Sequence, residues 1–242
     1  MICQKGRTDA LRKLVILFDI DGTLLSTIVT QRDEGRRYLQ AIRDVTGKEP
    51  MVVPSRFAGM VDPQICTILL TELGLDQSRV DELVPKVVAR MGLLYHDMKK
   101  RKALNEGVEE LLRTLSKFPN HILGVLTGNI SAIGEEKLNM TGIRSYFTEQ
   151  FYADKYYDRN RLVEDAVASC VTKYHLSDRR NVMIIGDTPL DMAAANAANA
   201  TSIGIASGVF SISQLLDAGA KRAFPNLRPS KELLEALAVV SK

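Results

Sequence analysis

The chain has 242 residues, 45% hydrophobic and 25% charged, with a formal net charge of +3 and an isoelectric point near 8.7. That balance describes a globular protein with one large domain, or a core with a smaller insert. The weak basicity falls short of what a nucleic-acid partner demands, though it suits a small anionic ligand.

Cys3, Cys66 and Cys170 are scattered and lack CxxC spacing, which argues against a disulfide framework or a zinc site and for a reducing compartment. The first strong element is the apolar run Leu14 to Phe18, a strand candidate that stops at Asp19. It is too short for a signal peptide, and no run approaches the length of a membrane span. A cytoplasmic protein without a membrane partner is the expectation.

From Leu25 to about Ala103 the pattern is helical with no convincing strand: Arg32 to Thr46, Gln64 to Leu73 and Val80 to Lys102. Gly47 and Gly74 stand where C-terminal caps belong. The simplest account is an all-helical insert over 28–103, with the core formed by 1–27 and 104–242. Lys99 to Lys102 is a run of four cations, better read as a solvated helix end than as a nucleic-acid patch.

Strands and helices then alternate. A helix over Val108 to Leu115 precedes the strand Ile122 to Leu126, which ends at Thr127. Helices over Ile130 to Met140 and Leu162 to Tyr174 follow, then the strand Val182 to Ile185, ending at Gly186-Asp187. A helix over Met192 to Ala198 and a weaker strand, Ser202 to Ala206, complete the pattern. Continuous apolar strands alternating with helices predict a doubly wound α/β fold with a parallel sheet, whose ligands bind at the carboxyl ends of the strands.

Three groups of polar residues fall at those ends. Asp19-Ile20-Asp21-Gly22-Thr23 places two carboxylates where one can attack phosphorus while the other handles protons, although Asp and Gly also serve an ordinary turn. Thr127-Gly128-Asn129 offers a hydroxyl and backbone amides to a phosphate, or simply a helix N-cap. Gly186 to Asp191 sets Asp187 and Asp191 one turn apart, an oxygen-only pair suited to Mg²⁺ or to capping the helix at Pro189.

Taken together these residues resemble the haloacid dehalogenase superfamily of phosphohydrolases, in particular its phosphoglycolate phosphatase-like branch with a helical cap. Asp19 to Leu24 matches the first motif, Leu126 to Asn129 the second and Gly186 to Asp191 the fourth. The likeness covers almost the whole chain, including Gly59 to Asp62 in the insert and Gly107-Val108 at the return to the core.

The resemblance implies a Rossmann-like core and a Mg²⁺-dependent phosphatase acting on a small phosphorylated metabolite, as a monomer or homodimer. Asp19 would be nucleophile and metal ligand, and Asp21 the acid/base with its backbone carbonyl on the metal. Thr127 would hold the phosphoryl group with the amides of Gly128 and Asn129. Asp187 and Asp191 would complete the metal site.

The third motif departs from the family, since no Lys-Pro-x-Pro setting exists. Charge neutralisation still demands a cation, and the matching stretch, Ala153 to Leu162, offers Arg159 first, then Lys155, then Arg161. A dehalogenase is disfavoured by Asp21, and a phosphonate hydrolase by the want of a convincing cap lysine, Lys48 being the residual candidate. A sugar-phosphate mutase and a catalytically silent binding relative stand as alternatives. Arg56 and Asp62 are expected to reach the substrate from the cap loop, unless Asp62 only caps the helix starting at Pro63.

Overall fold

A computed structural model describes residues 13–26, 31–97 and 103–237. Cys3, the entry to the insert near Ile28, and the Lys99 to Lys102 run lie outside the described residues.

The chain opens with β1 (Leu14–Phe18), every residue of which is buried. Next come α1 (Gln31–Thr46), α2 (Asp62–Glu72), α3 (Gln77–Asp97) and α4 (Val108–Leu115). Then follow β2 (His121–Leu126), α5 (Ser131–Met140), β3 (Glu149–Phe151) and α6 (Arg159–Tyr174). The series closes with β4 (Val182–Gly186), α7 (Pro189–Ala197), β5 (Thr201–Ile205), α8 (Ile212–Asp217), β6 (Arg222–Phe224) and α9 (Lys231–Ala236).

The six strands form one parallel sheet in the order β3-β2-β1-β4-β5-β6. β1 lies between β2 and β4, so the chain winds away from it in both directions and leaves a crevice at its carboxyl end. Alternate residues of β1 serve two cores. Ile16 and Phe18 face α4 and Leu227 on one side, whereas Val15 and Leu17 face Val163, Val167 and Ala194 of α6 and α7 on the other.

Helices α1, α2 and α3 build a third core around Tyr38, Ile42, Leu69, Leu70, Val84 and Met91. This core is not closed on itself, because Ile130 and Ile133 at the start of α5 belong to it. Gly47 and Gly74 adopt the left-handed conformation, φ +71° and +77°, as expected of C-terminal caps. The chain leaves and re-enters the core through one antiparallel bridge, Leu25 to Leu104, flanked by Ser26 N–H to the Ala103 carbonyl and Asn105 N–H to that of Leu24 (2.9 Å each).

Four short elements, β3, α8, β6 and α9, were not expected from the sequence pattern. Among the described residues no helix is long and apolar enough to cross a membrane.

Candidate active site

The carboxyl ends of β1, β2 and β4 meet under the helical insert, around a cavity of about 160 Å³. Asp19, Asp21, Thr127, Gly128, Asn129, Arg159 and Asp187 line its core side. Arg37, Tyr38, Phe57, Gly59, Met60 and Asp62 are among the residues closing it from the insert.

Asp19 is the first residue past β1, fixed by its N–H to the Ile185 carbonyl at 2.9 Å. Its buried carboxylate accepts from Arg159 Nη2 at 3.2 Å. Burial pushes the Asp19 carboxyl up to about 7; Arg159 opposes the shift, while Asp191 and Asp21 add to it. Gly22 turns the chain with φ +86°, a conformation open to glycine at little cost. Its carbonyl is held by Asn105 Nδ2 and Ser207 Oγ, both at 2.7 Å.

Asp187 lies at the end of β4 and accepts from Thr23 Oγ1 at 3.3 Å. A Cβ on Gly22 or Gly208 would fall 2.1 or 1.8 Å from its Oδ2, so both glycines are required by close approach. Burial and the neighbouring Asp19 and Asp191 raise the Asp187 carboxyl well above the ordinary range. Asp191 completes a capping box with Thr188 at the start of α7, its Oδ2 accepting from Thr188 Oγ1 at 2.7 Å and its Oδ1 from Arg159.

Asp19, Asp187 and Asp191 bring ligand oxygens within 4.8 Å of one another. Carboxylates crowded this tightly and stripped of water favour a bound divalent cation over three separate charges. The donor set fits a hard cation.

Of the three third-motif candidates, Arg159 alone points inward. It is the first residue of α6, positioned by Asp158, whose side chain caps that helix. Burial works against its charge, but Asp191 and Asp19 outweigh this and hold the guanidinium above its usual range. Lys155 is exposed over the Tyr156 ring, and Arg161 is 71% exposed beside Asp165.

Thr127, at the tip of β2, accepts at Oγ1 from Asn129 N–H (3.2 Å) and Nδ2 (2.8 Å). A hydroxyl that accepts twice keeps its proton for an anion. The Asn129 side chain also donates to Asp21 Oδ2 at 2.7 Å. Its contribution is therefore wider than the backbone amide expected of it.

A residue that the sequence reading missed completes this side. Lys137 of α5 is fully buried, with Nζ 2.5 Å from Asp21 Oδ2 and 3.0 Å from Asn129 Oδ1. A signal existed. Ile133, Gly134, Lys137 and Leu138 form the buried stripe of α5, so the lysine occupies an apolar position of the helical period.

The cap loop reaches the site, and its two expected contacts part company: Asp62 lines the cavity and Arg56 does not. Arg56 faces outward to Glu72 at 2.5 Å, because Phe57 beside it turns into the cap core. Asp62 is buried and is not the N-cap of α2. Val61 holds the cap position. Asp62 Oδ1 accepts from Arg37 Nη2 (2.8 Å) and Tyr38 Oη (2.5 Å), and Oδ2 from Ile130 N–H (2.9 Å).

Asp62 N–H in turn donates to the Gly128 carbonyl at 2.7 Å. The seam has no slack, since a Cβ on Gly128 would lie 2.3 Å from the Met60 carbonyl and one on Gly59 would lie 2.5 Å from Thr188 Oγ1. Arg37 and Tyr38 carried no motif, which is why the sequence did not single them out.

Residues 16–205 match the family model of haloacid dehalogenase-like hydrolases, and the chain belongs to that family. No curated protein sequence matches it. Among solved structures, a predicted phosphatase from Clostridium acetobutylicum superposes with TM-score 0.69 at 18% identity, over 95% of this chain and 100% of that one. A predicted phosphoglycolate phosphatase from Haemophilus somnus gives TM-score 0.66 at 17% identity, over 93% and 97%. A β-phosphoglucomutase from Clostridium difficile gives TM-score 0.68 at 16% identity, over 94% and 97%. At such identities the likeness is one of fold.

Proposed function

We propose that the protein is a Mg²⁺-dependent phosphatase that hydrolyses a small phosphate monoester, of the phosphoglycolate or sugar-phosphate kind, through an aspartyl phosphate on Asp19. The observation that carries this reading is the meeting, in one small cavity, of Asp19 with Arg159, of Asp21 with its donors, and of the Thr127 hydroxyl. Residues 28–103 are the cap and residues 1–27 with 104–242 the catalytic core.

Asp19 attacks phosphorus as the bond to the leaving oxygen breaks, and Asp21 gives that oxygen its proton. Asp21 then takes a proton from water, which attacks the same phosphorus and frees Asp19 with release of inorganic phosphate. Such acid–base assistance contributes roughly 10²- to 10⁴-fold. Arg159 and Thr127 offset charge on the phosphoryl oxygens, preorganised in a site largely shut to water.

Asp19 and Asp187, the backbone carbonyl of Asp21 and the adjoining Asp191 would hold Mg²⁺, which when bound supplies the positive charge that lets two anions meet. The engagement of Arg159 with Asp19 and Asp191 supports an active enzyme over a silent relative. Phosphate release from p-nitrophenyl phosphate with Mg²⁺, and its loss in Asp19→Asn, tests the reading. Wild-type turnover by that variant, with deamidation back to Asp controlled, overturns the covalent route. A panel of phosphorylated metabolites then identifies the substrate and separates hydrolysis from phosphoryl transfer between positions of a sugar.

A further inference from the structure

Lys137 is the one buried lysine among the described residues. Its side chain is 0% exposed, yet it is carried on a helix whose buried stripe is otherwise Ile133, Gly134 and Leu138. A buried ammonium is expensive even when paired, and an apolar residue of similar volume in its place is commonly neutral or stabilising. Fold stability alone therefore gives no reason for a lysine here.

Its contacts give one. Lys137 Nζ and Asn129 Nδ2 both donate to the same oxygen of Asp21, Oδ2, at 2.5 and 2.7 Å. Lys137 also donates to Asn129 Oδ1 at 3.0 Å, which orients the amide so that its NH₂ faces Asp21 and Thr127. Asp21 remains 28% exposed at its side chain and lines the cavity. One carboxylate oxygen is thus clamped from behind and the carboxyl group still reaches the cavity. On its far side the Lys137 ammonium lies 5.7 Å from the ring centroid of Tyr95, a residue of α3 in the cap.

We propose that Lys137 is a positioning residue for the reaction assigned above: with Asn129 it fixes the side-chain rotamer of Asp21, so that the second oxygen is the one presented to the leaving group. The inference rests on the phosphatase reading and deepens it. Lys137 touches no reacting atom. Its effect passes through Asp21, so its loss should copy the loss of Asp21 itself, which falls hardest on substrates whose leaving oxygen needs a proton.

The test is Lys137→Met, with Lys137→Gln as a second variant that keeps a donor should the first fail to fold. Both are assayed with p-nitrophenyl phosphate, whose leaving group barely needs protonation, and with an alkyl phosphate. In Lys137→Met, kcat for the alkyl ester is expected to fall roughly 100-fold. With p-nitrophenyl phosphate the fall is expected to be less than about tenfold, and KM should move little in either case.

In an Asp21→Asn background the same change should add almost nothing, as non-additivity within one unit requires. Equal losses for both esters, or fully additive losses in the double variant, overturn the proposal. A crystal structure of the variant decides independently of turnover: a displaced Asp21 carboxylate supports the positioning role, and an unmoved one refutes it. Absence of phosphate release by the wild-type enzyme from every ester would instead count against the phosphatase reading, while the crystal structure would still judge the clamp.

Discussion

Two buried arginines face the same cavity from opposite sides, and their surroundings differ in one respect. On the core side Arg159 meets Asp19 and Asp191, Lys137 meets Asp21, and Asp187 adds a fourth carboxylate beside Asp19 and Asp191. On the cap side Arg37 meets the Asp62 carboxylate and a phenol. The first group carries surplus negative charge that only a ligand or a proton can relieve; in the second the carboxylate is matched by a guanidinium. Surplus charge held at the cost of burial marks chemistry, and balanced charge marks a joint.

The sharpest way to break that contrast is at the nucleophile. Asp19→Asn should reduce kcat by about 10⁴-fold or more, as for other covalent nucleophiles. A loss below tenfold in single-turnover kinetics would place the attack elsewhere. Next is Arg159→Ala, which leaves Asp19 and Asp191 without their cation. Its kcat should fall on the order of 10²- to 10³-fold with KM raised. If Lys155→Ala does this instead, the inward orientation of Arg159 is irrelevant to turnover.

Asp62→Ala tests the balanced side. It breaks a buried ion pair and removes the acceptor on which Arg37, Tyr38 and the Ile130 amide converge, so unfolding should cost about 3–5 kcal/mol less than in the wild type, well beyond the ~1 kcal/mol of a lost helix cap. Because the seam serves every substrate alike, relative rates across a panel should hold constant. A change confined to one substrate would return Asp62 to the role of ligand contact.

A milder probe is pH. In the cation-free protein Asp19 stays protonated up to about pH 7, far above the 3.8 of a free carboxyl, and Asp187 shifts in the same direction. A raised acid in the folded state contributes stability below the unfolded value and loses it as pH rises through the folded one. Without cation, Tm should therefore decline from pH 5 to pH 8, and the Tm gain on adding Mg²⁺ should grow over the same window. Each kcal/mol corresponds to about 2–4 °C for a chain of this size. A gain independent of pH would argue that the three aspartates do not hold the ion. Smallest of all, Arg56→Ala should alter stability by no more than about 0.5 kcal/mol and leave kinetics intact, since its pairing with Glu72 is exposed; a kinetic defect would show that the loop rearranges to reach substrate.

Much of this was legible from sequence for a physical reason. Strands β1, β2 and β4 are buried on both faces, so they read as unbroken apolar runs, and each ends abruptly in the polar residues it delivers to the crevice. Edge strands β3 and β6 are three residues long, with Glu149, Gln150 and Arg222 among them, too short and too polar for any period to emerge. Arg159 could be preferred from its place at a helix start, whereas Arg37, Tyr38 and Lys137 are ordinary helix residues until tertiary packing buries them. What sequence cannot express is orientation: Arg56 and Asp62 lie six residues apart, yet one pairs with Glu72 at the surface and the other is buried against Arg37 and Tyr38.

The bridge between Leu25 and Leu104 has a consequence for engineering. Because the polypeptide departs and returns at adjoining points, the intervening helices form a cassette whose removal need leave no gap in the sheet. A short turn spliced across that bridge should yield a minimal core with its phosphoryl chemistry bared to solvent. Helices grafted there from another source would have to cover Ile130 and Ile133, offer a carboxylate to the Ile130 amide and satisfy the Gly128 carbonyl. The chain itself crosses between the two parts at one residue pair, while their packed boundary runs on through Ile130 and Gly128.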